Sequence, residues 1–282
     1  MVNRGRVLIL MSPSVLFLGL LFLLPLGLMA LFSFRAGSFG AERDVFTLSH
    51  YQEFLGNTIM QRLLGRSVVL SLWVSLYTVL LAYPIAYYLS FRAGAMKFTL
   101  LSLIIVPAWV SYLLRVLSWK VILGSNGALA SFLEWLGFTV DSPLLLYSAD
   151  AVVITLVYVW VPFVALPIFT ALERIDRSLL DAAADLGCSR WQAFTRVTLP
   201  LSLPGVLAGF LFVFIPTVGE YVTPALVGGP DGIMIGNIIL DQFLRALNWP
   251  MGALLSLVML VVVLLPLIFL GRFIRLADLA GA

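Results

Sequence analysis

One cysteine, Cys188, and one histidine, His50, are all the sequence offers of the two residue types that most often hold metals or attack substrates. A lone Cys excludes an intramolecular disulfide and any Cys-rich metal site, and a lone His leaves no ligand cluster, so no structural metal is expected. A Gly-x-Ser-x-Gly elbow, a His-Glu-x-x-His site and a Cys–His pair are all missing, which argues against a hydrolytic or redox role. No Gly-x-x-x-x-Gly-Lys-Ser/Thr loop occurs either, so the chain cannot cradle nucleotide phosphates in that manner. Charge is scarce as well, at 11% of residues against roughly 25% in soluble domains. Without a Pro-rich linker, a low-complexity run or an internal repeat, residues 1–282 read as a single domain.

What is abundant is apolar residues, 62% of 282, far more than a water-soluble fold can hide. They come in blocks near Val7–Phe34, Leu63–Phe91, Phe98–Leu117, Ala151–Leu172, Leu201–Val227 and Met251–Leu270. A helix needs about 20 such residues to cross a hydrocarbon core of about 30 Å, so six spans are expected. The first block follows Arg4 and Arg6 but is longer than the ~7–15 residues of a signal-peptide core, which makes it a retained helix. The formal charge of +3 forms no continuous basic stripe, which argues against nucleic acid. Basic residues instead favour one side. If the chain starts inside, Arg4, Arg6, Arg92, Lys97, Arg174, Arg177, Arg190, Arg196, Arg272 and Arg275 are inner, and the other seven are outer. The positive-inside rule then sets both termini in the cytoplasm.

Two outer segments, Ala128–Leu136 and Ile233–Leu247, are too short to cross and read as interfacial helices after Gly-containing turns. They serve either a partner protein or interfacial packing. Prolines at 25, 84, 107, 162, 167, 216 and 266 lie inside the spans, where each removes a backbone donor and can kink its helix.

The stretch 173–200, ERIDRSLLDAAADLGCSRWQAFTRVTLP, is too polar to cross. Ser178, with Asp181 three residues on, is expected to cap a short helix that Gly187 ends in a left-handed conformation. Ser189 and Gln192 have capping-box spacing for a second short helix, with Leu199-Pro200 expected to stop it before the next span.

Asp181-Ala182-Ala183, Gly187, and then Val197, Leu199 and Pro200 resemble the signature loop of permeases in binding-protein-dependent ABC importers, with Asp181 where that family usually has Glu. The resemblance implies an all-α integral membrane protein of the bacterial inner membrane: a six-helix type I importer bundle with short cytoplasmic coupling helices. Asp181, Ala182, Ala183, Ala184, Gly187 and Pro200 would then dock on a separate ATPase, and the small Ala side chains would permit close approach. It further implies two ATPase copies that bind ATP and Mg, a second and different permease, and a periplasmic solute-binding protein. This chain itself would be no enzyme and would bind no cofactor. The likeness runs along the chain and is greatest for spermidine/putrescine importer permeases of the first of two types. It is carried by Ile105-Val106-Pro107-Ala108-Trp109, Leu113-Leu114-Arg115, Leu156-Val157-Tyr158 with Pro162-Phe163, Pro216-Thr217-Val218-Gly219-Glu220-Tyr221, Gly228-Gly229, Ile235-Gly236-Asn237 and Asn248-Trp249-Pro250. Permeases for opines and amino-acid-like solutes share much of this pattern, and an ion-gradient-driven transporter is the alternative from another class.

Glu220 is the acid that stands out, at the outer end of an apolar span. It meets a cationic solute, pairs with Arg115 or Lys120, or sits at headgroup level. Trp109, Tyr112, Trp119 and Tyr221 offer aromatic faces to an ammonium group or belong to an interfacial belt.

Overall fold

The computed structural model describes residues 4–137 and 145–280, with side chains at 11–137 and 145–269. The inner charges Arg4, Arg6, Arg272 and Arg275 thus have side chains outside the described set. Among the described residues there is no strand, only one β-bridge between Arg35 and Phe46. The helices are α1 (Arg4–Ser33), α2 (Ser49–Gly56), α3 (Thr58–Phe91), α4 (Lys97–Ile105), α5 (Tyr112–Ile122), α6 (Ala128–Trp135), α7 (Ala149–Glu173), α8 (Arg177–Asp185), α9 (Arg190–Ala193), α10 (Leu199–Val218), α11 (Gly229–Gly232), α12 (Ile235–Leu244) and α13 (Trp249–Ala280).

Among the described residues, five helices are long and apolar enough to cross a membrane, spanning 11–33, 58–91, 149–173, 190–218 and 249–269. The third expected span is not one straight helix. Residues Gly94–Trp109 and Tyr112–Ile122 meet at 91° and make the sixth crossing only as a bent pair. Pro107 cannot donate a hydrogen bond and sits in a tight 3₁₀ turn, Val106–Trp109, after which Val110 and Ser111 are extended. The other six intramembrane prolines lie within helices that continue past them. The fifth span also ends earlier than expected, at Val218 rather than Val227.

The chain divides into two compact units. The larger comprises 62–237 and 263–282. Lipid tails are as apolar as leucine, so helices in a bilayer associate through close packing of small residues and not through hydrophobic burial. The α7–α10 contact follows that rule. A Cβ built on Gly205 would lie 2.4 Å from the Ala171 Cβ and 2.7 Å from the Pro167 carbonyl oxygen, and one on Gly209 would lie 2.9 Å from a Val164 methyl. Glycines four apart on α10 thus let its backbone touch α7. On α3 the small hydroxyl residues Ser67, Ser71, Ser75 and Thr78 are all fully buried, and each donates to the carbonyl four residues back. Ser71, Ser75 and Thr78 thus satisfy their hydroxyls inside the helix while their small size admits neighbours; Ser67 also accepts the Ile235 N–H at 2.7 Å and so ties α3 to the start of α12. The buried core of this unit includes Val74, Val116, Val152, Leu156, Val164, Ile168 and Val213.

The smaller unit comprises 1–61 and 238–262. Its α1 is unlike the core helices: its most apolar window has no buried residue. Ser38 stitches the unit, donating to the Leu247 carbonyl at 2.6 Å and accepting from the Trp249 N–H at 2.8 Å. Phe39 packs edge-on against the Trp249 ring.

Candidate coupling loop and solute path

Within the larger unit, the loop after α7 folds into two short helices set by their caps. The first is capped by Asp176, not Ser178 as its spacing had suggested: the Asp176 carboxylate accepts the Ser178 N–H at 3.0 Å. Aspartate wins because it lies just ahead of the first helical residue, where its short carboxylate reaches the free N–H two positions on. That backbone bond, aided by the Ser178 side chain, holds the Asp176 carboxyl below its usual range. At the other end Gly187 has φ of +79°. The Cys188 N–H reaches the Ala183 carbonyl at 3.0 Å and the Gly187 N–H reaches Ala184 at 2.9 Å, the paired bonds of a Schellman turn.

The second helix carries the expected capping box, with both Ser189–Gln192 bonds present. It does not stop at Leu199-Pro200. Residues 194–198 form a π-turn in which the Leu199 N–H bonds to the Phe194 carbonyl, and the chain continues into α10. Pro200 sits in the first turn of α10, where its missing N–H costs little, and the wider turn absorbs the register change.

Of the loop residues singled out from sequence, Asp181, Ala182 and Ala184 are exposed on α8 and Gly187 is exposed at its end, but Ala183 is 6% exposed and faces inward. It cannot offer a surface to a partner, because successive residues on a helix point about 100° apart and the middle alanine falls on the inner face. What the sequence reading missed is an apolar surface. Leu186 is 84% exposed and Trp191 71%, with Leu179 also exposed. The available signal was apolar side chains of this size in a segment otherwise too polar to cross.

The motifs near Glu220 converge in space. α10 ends at Val218, and Glu220 lies in the break that follows, not within the span. Its Oε1 accepts the N–H groups of Tyr221, Val222 and Thr223 at 3.1, 2.8 and 3.3 Å. The carboxylate therefore caps the next helical segment, whose last five residues form a π-turn, Pro224–Gly228. The Asn237 amide donates to the Tyr221 carbonyl at 2.8 Å and its oxygen accepts the Met234 N–H at 3.1 Å. At Gly236 a Cβ would lie 2.5 Å from the Gly219 oxygen and 2.7 Å from that of Glu220. The segments Pro216–Tyr221 and Ile235–Asn237, separate in sequence, are thus one braced structure.

Tyr112, at the start of α5, shares a 2.6 Å hydrogen bond with the Thr223 hydroxyl and is an electrostatic neighbour of both Glu220 and Arg115. Arg115 is only 9% exposed and donates to the Val159 carbonyl at 3.3 Å, while its Nε has no partner. Among the described residues it forms no ion pair with Glu220. Tyr221 is exposed, and Trp109, at 84% exposure, stands on the outer surface of the bundle.

The model of the "Binding-protein-dependent transport system inner membrane component" family matches residues 7–277. The chain belongs to this family. The permease is 38% identical over 235 residues to the spermidine/putrescine transport system permease protein PotB of Salmonella typhimurium strain LT2, covering 83% of this chain and 81% of that one. It is 34% identical over 248 residues to the inner membrane ABC transporter permease protein YdcU of Escherichia coli K12, covering 81% and 79%. Its fold matches that of a bacterial ABC transporter involved in the import of the acidic polysaccharide alginate, with a TM-score of 0.70 at 18% identity and 96% coverage of each chain. It also matches the MetNI methionine ABC transporter, with a TM-score of 0.58 at 17% identity over 77% of this chain and 95% of that one. The all-helical permease fold of type I importers is therefore established here.

Proposed function

We propose that the permease is one membrane half of an ATP-driven importer that carries polyamines, spermidine or putrescine, from a periplasmic binding protein into the cytoplasm. The observation that carries the coupling role is the loop of 173–200. Two capped helices hold Leu186 and Trp191 in the open beside the small side chains of Ala182 and Ala184. Apolar side chains kept in water by these turns cost free energy, and a groove on a partner that covers them removes that cost. The partner is an ABC ATPase, present in two copies and holding ATP and Mg. A second, different permease completes the membrane part, and residues 1–282 act as one permease domain. Both termini lie in the cytoplasm, so the loop faces the ATPase.

ATP-driven closure of the ATPase pair pulls the loop, and the two bundles tilt between outward- and inward-open states. In a path lined by two bundles, the walls of one bundle alone are exposed, which suits Trp109 and Tyr221. Their faces meet ammonium groups by cation–π attraction. Tyr112 and Glu220 add hydroxyl and carboxylate dipoles, with Arg115 as the neighbouring counter-charge. The polyamine assignment draws its support from the similarity to PotB, whose name states that solute.

The test is uptake of labelled spermidine into vesicles holding the permease, its partner permease and the ATPase, with the liganded binding protein outside. Uptake that needs internal ATP and stops with an ATPase-dead partner is expected. Uptake driven by an ion gradient without ATPase would overturn the importer reading, and ATP-driven uptake that excludes spermidine and putrescine would overturn the solute alone.

A further inference from the structure

The exposed Trp191 is not isolated from the bundle. Its ring stacks on Phe194 with centroids 5.5 Å apart and planes at 28°. Phe194 in turn stands edge-on against two rings of α3, Tyr83 and Tyr87, each 5.8 Å away at 85° and 80°. Tyr87 also packs on Phe91 at 4.9 Å. The Tyr83 hydroxyl shares a 2.9 Å hydrogen bond with Ser202 of α10, so the rings close a triangle between the loop, α3 and α10. The corner of this triangle is a backbone joint. Phe194 opens the π-turn, and its carbonyl takes the Leu199 N–H; the next residue, Pro200, has no N–H with which to draw the turn back into an ordinary helix. A π-turn inside a long helix carries one extra residue, which allows the segments on either side to change relative angle with little loss of bonding.

Two couplings are therefore possible between the loop and the crossing helices: a soft one along the backbone through the π-turn, and a stiff one through the rings. Edge-on aromatic contacts have a preferred geometry, and Phe194, half-buried and held against two rings of α3, resists displacement relative to them. From this we infer that Phe194 is a positioning residue for transport: it transmits displacement of Trp191 to α3 through Tyr83 and Tyr87, while the π-turn lets α9 move without unwinding α10. The inference rests on the reading of this loop as the ATPase contact. It assigns Phe194 no contact with the solute or with the ATPase.

The experiment compares Phe194→Ala, Phe194→Tyr and Trp191→Ala in the complete transporter, measuring ATPase co-purification, ATP hydrolysis, and spermidine imported per ATP hydrolysed. Phe194→Ala is expected to bind the ATPase as the parent does but to import about tenfold less solute per ATP. Phe194→Tyr keeps the ring and is expected to restore the ratio to within about twofold. A parental ratio for Phe194→Ala overturns the inference, and so does failure of Phe194→Tyr to restore it. If Phe194→Ala does not assemble, Tyr87→Leu tests the same contact from the α3 side: a tenfold fall supports the inference and an unchanged ratio overturns it. Trp191→Ala separates the two ideas. Unimpaired ATPase co-purification and coupling in that variant removes the docking reading, and with it the route by which Phe194 would receive any displacement.

Discussion

Gly187 offers the sharpest test of the coupling loop, because the cost of replacing it is almost purely conformational. A Cβ added there meets nothing within 4 Å, so a larger side chain has room; what it lacks is a comfortable backbone at φ of +79°. For an L-residue the left-handed region costs about 1–2 kcal/mol, more for a β-branched one and less for Asn. The chain either accepts that strain or flips out of the turn and gives up the Cys188 and Gly187 bonds to Ala183 and Ala184, each worth about 0.5–1.5 kcal/mol. Either route weakens the turn by roughly 1–3 kcal/mol, a factor of about 5 to 150 in its population. The expected order of coupling is Gly187, then Asn, then Ala, then Val, read as solute-stimulated ATP hydrolysis and spermidine uptake by the reconstituted complex. Capture of the binding protein, on the far side of the membrane, should not change. Normal stimulation in Gly187→Val would sink the assignment of this loop. Equal damage from Asn and Val would refute the conformational argument while leaving the loop's importance intact.

Glu220→Ala strands three N–H groups and should cost about 1–3 kcal/mol, seen as lower yield and thermal stability, whereas Glu220→Gln keeps an acceptor oxygen and should assemble well. Equal losses in both would contradict the capping role, and Arg115→Gln is not expected to rescue either, since no ion pair joins the two. Gly205→Ala should destabilise the bundle by about 1–3 kcal/mol through overpacking, because its new methyl meets backbone and a Cβ that cannot turn away; Gly209→Ala should cost less, since a Val164 methyl can shift. A thermal melt in detergent that ranks them in the opposite order would overturn this packing account. Asp176 has a depressed pKa, so its capping contribution is fully present above the ordinary carboxylate pKa of about 3.9 and is lost as pH falls through its lowered value. Amide exchange at Ser178 should therefore show protection unchanged across neutral pH and lost only in strong acid, and a loss near pH 6 would exclude Asp176 as the group responsible.

The sequence made the membrane class and most of the capping legible because both depend on local chemistry. Apolar length located most of the crossings, and Ser189 with Gln192 located the start of the second loop helix to the residue. Failures occurred where tertiary geometry decides. Seven intramembrane prolines look alike in sequence, yet only Pro107 lies at a break, since the outcome depends on whether neighbouring helices hold the chain straight. Ala183 reads like Ala182 and Ala184 until the helix is docked and one of the three faces inward. Gly205 and Gly209 carried a four-residue spacing that signals close helix packing in membranes, and it could have been read. The role of Glu220 could not, because its partners are three N–H groups freed by a helix break that hydropathy does not mark.

On the proposed path, the opposite charges of Glu220 and Arg115 would decide how strongly a cation is held. Glu220 supplies one formal negative charge and Arg115 one formal positive charge, both acting on Tyr112, so the cluster as a whole offers a polyamine no net attraction. For an ammonium equidistant from the two, at about 6 Å from each and an effective dielectric near 20, the roughly 3 kcal/mol gained from Glu220 would be offset by the same loss to Arg115. The exposed faces of Trp109 and Tyr221 add roughly 0.5–2 kcal/mol each for a cation at the ring, enough to smooth passage but too little to distinguish spermidine from other amines. A path with so small a preference also suits its task, since a tight site in the membrane would hold the solute and slow its release. On the proposed importer reading, discrimination among cations would then fall to the binding protein that delivers the solute. The permease would open and close around whatever is delivered, and its glycine contacts, capped loop and braced break at Glu220 would serve that movement and not recognition.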